Sequence, residues 1–297
     1  MGVRLREVGR FVPLNKTALD LGRAPSANSL RVKSIVDYIV NRQNDDGGYT
    51  FCQGAESNAQ DTYYGLAILS IFGTSFPNIE KTVKWLKELN LNSVYSYYYV
   101  CKALALCGRD LDVRIKNRVV SVIGSKRHFG SVDVYVEVSS EFVLTFMILE
   151  LANILDIKLE SREVENWLLG YRNKDGGFGA HGYSNINSTY HAVASLHQLK
   201  GSLGDPGETV SFVRKCEKPY GGFTVVPLSS TPYMEHTYYG VMTLDLLDEH
   251  CKFPSQTIDF ILKCQRANGG FARSDMGVST FENTFQAVSM LRKFGVI

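Results

Sequence analysis

Polar and apolar positions along this chain fall into two helical patterns that take turns. One is amphipathic. In Thr82-Val83-Lys84-Trp85-Leu86-Lys87-Glu88-Leu89 and in Thr257-Ile258-Asp259-Phe260-Ile261-Leu262-Lys263, apolar residues recur at spacings of three and four, with polar residues and charges between. That is a surface helix with one buried face. The other pattern is apolar on nearly every side, as in a helix enclosed by its neighbours. It aligns from one polar position: Asp61, Ser96, Ser140, Ser188, His236 and Asn283. The next residue is Thr62, Tyr97, Glu141, Thr189, Thr237 or Thr284. The one after is always aromatic: Tyr63, Tyr98, Phe142, Tyr190, Tyr238 and Phe285. Four past the polar position stand Gly65, Val100, Leu144, Ala192, Gly240 and Ala287, mostly small, which lets neighbouring helices approach closely.

Between the two patterns lies a glycine-glycine-aromatic signature: Gly47-Gly48-Tyr49, Gly176-Gly177-Phe178, Gly221-Gly222-Phe223 and Gly269-Gly270-Phe271, with a decayed copy at His128-Phe129-Gly130. The aromatic positions step by 80, 49, 45 and 48 residues, so a further unit is expected between residues 89 and 108. A period of this length marks stacked supersecondary units, none able to bury its apolar face alone. Glycine takes the left-handed conformation that a helix end uses, so the Gly-Gly is expected to terminate each amphipathic helix. Pro77, Pro206 and Pro254 stand near three helix starts, where a missing N–H costs little. Six outer and six inner helices then form either an open solenoid or a closed ring.

Composition narrows the partners. The chain has 297 residues, 44% hydrophobic and 21% charged, as an ordinary globular protein does. Its 32 basic and 30 acidic side chains leave a net charge of +2, which gives no reason to expect nucleic acid or an anionic membrane surface. Phe142 to Leu155 is the most apolar stretch, but Thr145, Glu150 and Asn153 interrupt it, so no membrane span is expected. None of the six cysteines forms a Cys-x-x-Cys pair. They read as buried free thiols, which suits a cytoplasmic setting.

The signatures Asp175-Gly176-Gly177-Phe178 and Asp46-Gly47-Gly48-Tyr49, and the Lys263-Cys264-Gln265 that precedes Gly269, resemble the prenyltransferase and squalene-cyclase repeat. The resemblance covers about residue 29 to the end. It implies an all-α fold, an α6/α6 toroid: a closed ring of six helical hairpins over residues 29–297, with an N-terminal arm at 1–28. It also implies inner-helix N-termini around one mouth of an aromatic-walled funnel. The relatives include β subunits of protein prenyltransferases and class II terpene cyclases. In the protein prenyltransferases a zinc ion is held by an Asp-x-Cys and a histidine. The matching positions here hold Tyr233, Glu235 and Asn283, so that standard zinc site is not matched, and the cofactor stays unknown with a divalent metal possible. Where the resemblance implies a cationic clamp for a diphosphate, Ser229, Ser230, Thr231 and Pro232 stand. The Asp-x-Asp-Asp of the cyclases has its nearest counterpart in Asp61.

Asp, Ser and Asn at the polar position are expected to cap their helices. His236 breaks that pattern, and with Asp61, Glu235 and Glu282 it forms the candidate acid–base set. The aromatic positions Tyr63, Tyr98, Tyr190, Tyr238 and Phe285 are the candidate lining for a hydrophobic ligand, by apolar contact and cation–π attraction. The resulting expectation is a prenyltransferase-like or terpene-cyclase-like transferase acting on an isoprenoid. The alternative is a non-catalytic toroid that binds a hydrophobic small molecule or a partner protein. A third reading, a sugar-processing α6/α6 enzyme with paired carboxylates, has the glycine-glycine-aromatic repeat against it.

Overall fold

A computed structural model describes residues 31–111, 113–125, 138–159 and 161–297. In chain order the helices are α1 (Val32–Val40), α2 (Ala59–Ile71), α3 (Ile79–Glu88), α4 (Val94–Leu106), α5 (Val113–Ser125), α6 (Val138–Ile154), α7 (Ser161–Leu169), α8 (Ile186–Gln198), α9 (Gly207–Cys216), α10 (Met234–Leu246), α11 (Pro254–Lys263) and α12 (Phe281–Lys293). Two-residue strands β1 (Phe271–Ala272) and β2 (Ser279–Thr280) pair antiparallel ahead of α12. The fold is all-α and of the α/α toroid class. Odd-numbered helices carry the amphipathic pattern and even-numbered ones the apolar pattern. The unit expected between residues 89 and 108 is α4, reached from α3 by a short connection without glycines. The arm at 1–28 and the copy at His128-Phe129-Gly130 lie outside the described residues.

The chain forms two compact units, Met1–Asn117 with Ile258–Ile297, and Arg118–Thr257. In the first, α2 packs between α4 and α12, with α1 and α3 against α2 and α4. In the second, α8 packs between α6 and α10, with α7 and α9 beside it. Phe142, Val164, Leu168, Phe178, Ala192, Val193 and Leu196 form a buried core there. The first unit brings the beginning and end of the described chain together. The Tyr38 hydroxyl donates to the Ser279 carbonyl at 3.1 Å, the Tyr38 ring meets Phe281 edge-on at 5.3 Å, and the Arg31 guanidinium donates to the Arg266 carbonyl at 2.6 Å. First and sixth repeats are therefore in contact.

Two sequence expectations need correcting. The Gly-Gly does not end the outer helix. It forms a tight turn several residues later, in which Gly47 N donates to Asn44 O and Asn44 N to Gly48 O, both at 2.9 Å. The same pair of bonds recurs at Asn173 with Gly176 and Gly177, at Lys218 with Gly221 and Gly222, and at Arg266 with Gly269 and Gly270. Asp46, Asp175 and Asn268 accept the N–H of the second glycine. The first glycine has a positive φ, +84° at Gly176, and presses on the next outer helix. A methyl at Gly176 would overlap the backbone of Glu208 in α9, and one at Gly269 the backbone of Ser34 in α1. Glycine is required here for close approach as well as for conformation.

The second correction concerns capping. Asn58, Ser93, Asn185 and Thr280 are the N-caps, and their side chains accept from the backbone N–H of Asp61, Ser96, Ser188 and Asn283 at 2.8, 3.2, 2.8 and 3.1 Å. The polar position is thus the third helical residue, the recipient of a cap. The side chain of Ser140 lies outside what is described. The misreading has a plain cause: Asn, Ser, Thr and Asp are all good caps, and each of these four helix starts carries two of them three residues apart.

The threonine that follows ties turn to helix. Tyr49 N, Phe178 N, Phe223 N and Phe271 N donate to Oγ1 of Thr62, Thr189, Thr237 and Thr284 at 2.9, 3.0, 3.1 and 2.9 Å. Each threonine hydroxyl donates in turn to the carbonyl of its N-cap residue. All four threonines are buried, so nothing else replaces these bonds.

Two measurements test this account. Gly176→Ala is expected to cost several kcal/mol in urea unfolding, well above the roughly 1–2 kcal/mol of left-handed strain alone. Gly182→Ala, at φ +81° with open space around it, is expected to show only that strain. Equal losses would refute close approach as the constraint. Separately, Thr189→Val strands the buried Phe178 amide and is expected to cost about 1–3 kcal/mol; an unchanged unfolding midpoint would show the bond to be dispensable.

Candidate functional site

Capping at the residue three before the polar position fixes the start of α2, α4, α8 and α12, and with it the direction of the rings that follow. The N-cap of α10, Tyr233, makes no side-chain cap bond. In the first unit these rings gather. Tyr63 lies 5.3 Å from Tyr64, 5.9 Å from Tyr99 and 6.2 Å from Phe285, and Tyr64 lies 5.7 Å from Tyr99 and 5.2 Å from Phe285. Tyr98 meets Tyr99 edge-on at 5.1 Å. Rings from α2, α4 and α12 thus form one aromatic surface. The hydroxyls of Tyr64 and Tyr99 are 3.4 Å apart. Both phenols are raised well above their ordinary value, chiefly by burial, with the Glu282 carboxylate adding to it. The Lys102 ammonium sits over the faces of Tyr63 and Tyr98, 5.1 and 4.9 Å from their centroids, and donates to the Tyr98 hydroxyl at 3.1 Å.

A second cluster occupies the second unit. Tyr190 stacks on Tyr239 at 5.0 Å and meets Tyr238 at 6.0 Å. Phe146 lies 6.1 Å from Tyr190. His191 is 5.0 Å from Tyr190, 5.1 Å from Tyr239 and 5.6 Å from Phe146, edge-on to each. Phe142 differs from the other aromatic positions: it is fully buried against Trp167 and Tyr171 and serves as core.

The sequence reading caught one ring of each pair and missed its neighbour. One residue past the aligned aromatics stand Tyr64, Tyr99, Val143, His191, Tyr239 and Gln286, and four of these carry a ring with a polar atom. The same alignment held that signal. Lys102, eight residues after the tyrosine-rich start of α4, was missed because an isolated lysine in an apolar run looks like a snorkelling surface residue.

The candidate acid–base residues fall into two pairs. In the first unit Asp61 is buried and accepts from Phe51 N at 3.2 Å and from Asn58 Nδ2 at 2.8 Å. Burial raises its pKa, and those two hydrogen bonds pull the other way. Glu282 of α12 accepts from Gln60 Nε2 at 3.4 Å, one residue from Asp61. In the second unit Glu235 Oε1 and His236 Nε2 are 3.8 Å apart, with the Tyr233 ring 5.6 Å from the imidazole.

Zinc as the resemblance supplies it does not fit these residues. Tyr233 is the N-cap of α10 and brings no thiolate or carboxylate, while the Asn283 amide donates to Gln286 Oε1 at 3.1 Å. Among the described residues no group of three or more His, Cys, Asp or Glu side chains is placed to share a cation. Cys101, Cys107, Cys216 and Cys264 are buried, as expected; Cys52 is exposed and Cys251 half-buried. Burial pushes Cys101, Cys216 and Cys264 up to about 12 and Cys107 to about 11, so none offers a thiolate near neutrality.

Solved structures share this fold. Candida albicans protein geranylgeranyltransferase-I, complexed with GGPP, aligns over 88% of this chain and 90% of its own, at 14% identity and a TM-score of 0.68. The type II terpene cyclase MstE from Scytonema aligns over 92% of this chain and 100% of its own, at 14% identity and a TM-score of 0.63. A variant of that cyclase in complex with geranylgeranyl dihydroxybenzoate aligns over 91% and 97%, at 12% identity and a TM-score of 0.61. No curated protein matches the sequence significantly. The family model described as the prenyltransferase alpha-alpha toroid domain matches residues 17–109 and 87–295, and over that span the chain belongs to the prenyltransferase α/α toroid family.

Proposed function

We propose that this protein binds an isoprenoid along the rings of its even-numbered helices and acts on it as a prenyltransferase-like or terpene-cyclase-like enzyme. The observation that carries this reading is the convergence of Tyr63, Tyr64, Tyr98, Tyr99 and Phe285 from three helices of different repeats. Aromatic faces receive a branched polyene by apolar contact and stabilise positive charge developing on its carbons. The ligands carried by the structural neighbours, GGPP and a geranylgeranyl dihydroxybenzoate, support the class. Asp61, with its raised pKa, is the candidate proton donor, and Glu235, His236 and Glu282 are the candidate bases. The four buried thiols suit a cytoplasmic transferase.

The second reading is a non-catalytic toroid that holds a hydrophobic ligand or a protein partner. It is favoured by Tyr233, Glu235 and Asn283 at the zinc positions. Turnover of a bound isoprenoid separates the two readings.

A diphosphate needs cationic partners when it leaves water. The Lys102 ammonium is directed at two tyrosine faces, and the Asp61 and Glu282 carboxylates oppose an anion. Without divalent metal, geranylgeranyl diphosphate is therefore expected to bind no more tightly than geranylgeraniol, and magnesium is expected to favour the diphosphate about tenfold or more. Calorimetry with both ligands, with and without magnesium, decides it. Strong metal-free preference for the diphosphate would overturn this electrostatic account, and binding of neither would sink the isoprenoid reading.

The ring surface has its own test. Phe285→Ala removes the ring that faces Tyr63 and Tyr64 and is expected to weaken geranylgeraniol about tenfold. Thermal melting of the variant checks that the fold persists. Unchanged affinity would place the ligand elsewhere.

A further inference from the structure

His191 occupies in α8 the register that tyrosines fill in α2, α4 and α10, where Tyr64, Tyr99 and Tyr239 stand. Its imidazole differs from a phenol in offering a strong acceptor. Nδ1 lies 2.7 Å from the Asn187 carbonyl oxygen. A carbonyl only accepts, so Nδ1 carries the proton and the neutral ring has Nε2 as a bare lone pair. Burial lowers the pKa to about 4, which keeps the ring neutral at physiological pH. The side chain is 6% exposed, and Phe146, Tyr190 and Tyr239 enclose it edge-on. Among the described residues Nε2 has no hydrogen-bond partner. On the same helix face, three and four residues earlier, Ser188 Oγ and Asn187 Oδ1 are also buried without partners. The fold thus leaves polar capacity unused on an aromatic wall.

We propose that His191 is a specificity-determining residue: its Nε2 accepts a hydrogen bond from the hydroxyl of a neutral, apolar ligand lying on the Tyr190, Tyr238 and Tyr239 rings. The ligand class is an isoprenoid bearing an alcohol or phenol O–H. This deepens the isoprenoid reading and rests on it. A buried acceptor left unpaired costs more than a made bond gains, so the site discriminates against ligands lacking a donor. A water on Nε2 has the same effect, because an apolar group that displaces it cannot restore the bond.

The test compares geranylgeraniol with geranylgeranyl methyl ether, which has the same chain and no donor. Calorimetry on the wild-type protein is expected to show the alcohol binding about tenfold more tightly. His191→Phe keeps a ring among the other three and removes the acceptor. It is expected to bring the alcohol down to the affinity of the ether while leaving the ether unchanged. In wild-type protein labelled with nitrogen-15 at histidine, the unprotonated His191 Nε2 resonance is expected to move with the alcohol and stay put with the ether. That readout holds whether or not the variant folds. Equal affinities in the wild type, a preference that survives in His191→Phe, or an Nε2 resonance that the alcohol leaves unmoved would overturn the proposal with the isoprenoid reading intact. Binding of neither molecule would overturn both.

Discussion

In four of the six repeats one buried hydroxyl holds turn and helix in register. The threonine after the polar position accepts from the amide of the turn aromatic and donates to the carbonyl of the N-cap, at Thr62, Thr189, Thr237 and Thr284 alike. A buried amide and a helix-end carbonyl both need partners, and this hydroxyl serves the two at once. Around it, the first glycine of the turn lets the backbone lie against the next outer helix, and the second is held by Asp46, Asp175 or Asn268. Successive repeats are thereby joined by backbone contact, a geometry that tolerates little adjustment.

That rigidity decides where the rings go. The fifth and sixth helical residues project from a set position at each helix start, and two rings result in α2, α4, α8 and α10. Gly240 shows the space this demands, since a methyl there would overlap the Phe223 ring of its own repeat's turn. Small residues four past the polar position therefore make room for the turn aromatic as much as for a neighbouring helix. Most of the paired rings then meet across helices and repeats, as Tyr63 meets Phe285 and Tyr190 meets Tyr239.

Charge is placed sparingly on this framework. Asp61 has two hydrogen-bond donors and still has its carboxyl pulled upward by burial. Lys102 faces the π-clouds of Tyr63 and Tyr98, which attract an ammonium. His191 is kept neutral and its tautomer is set by a backbone carbonyl. For Asp61 and His191 burial is the largest cause of the shift, and no charged partner adds to it.

The sequence by itself determined the repeat, the two helix types and the all-α fold, because a 3.6-residue apolar period and a recurring Gly-Gly-aromatic are local signals that need no tertiary context. It also marked Tyr63, Tyr98, Tyr190, Tyr238 and Phe285 as ring positions. It misplaced the caps by one turn, because Asn58 and Asp61, or Asn185 and Ser188, are nearly equal capping candidates and only the built helix chooses between them. It gave the Gly-Gly a helix-ending role, because positive φ looks alike in a C-cap and in a tight turn. Tertiary structure alone decided that Gly269 meets α1, that Lys102 faces two rings, that Phe142 is core where its counterparts form ring clusters, and that one nitrogen of His191 stays open. These are facts of which side chains face each other across repeats, and separation along the chain does not carry them.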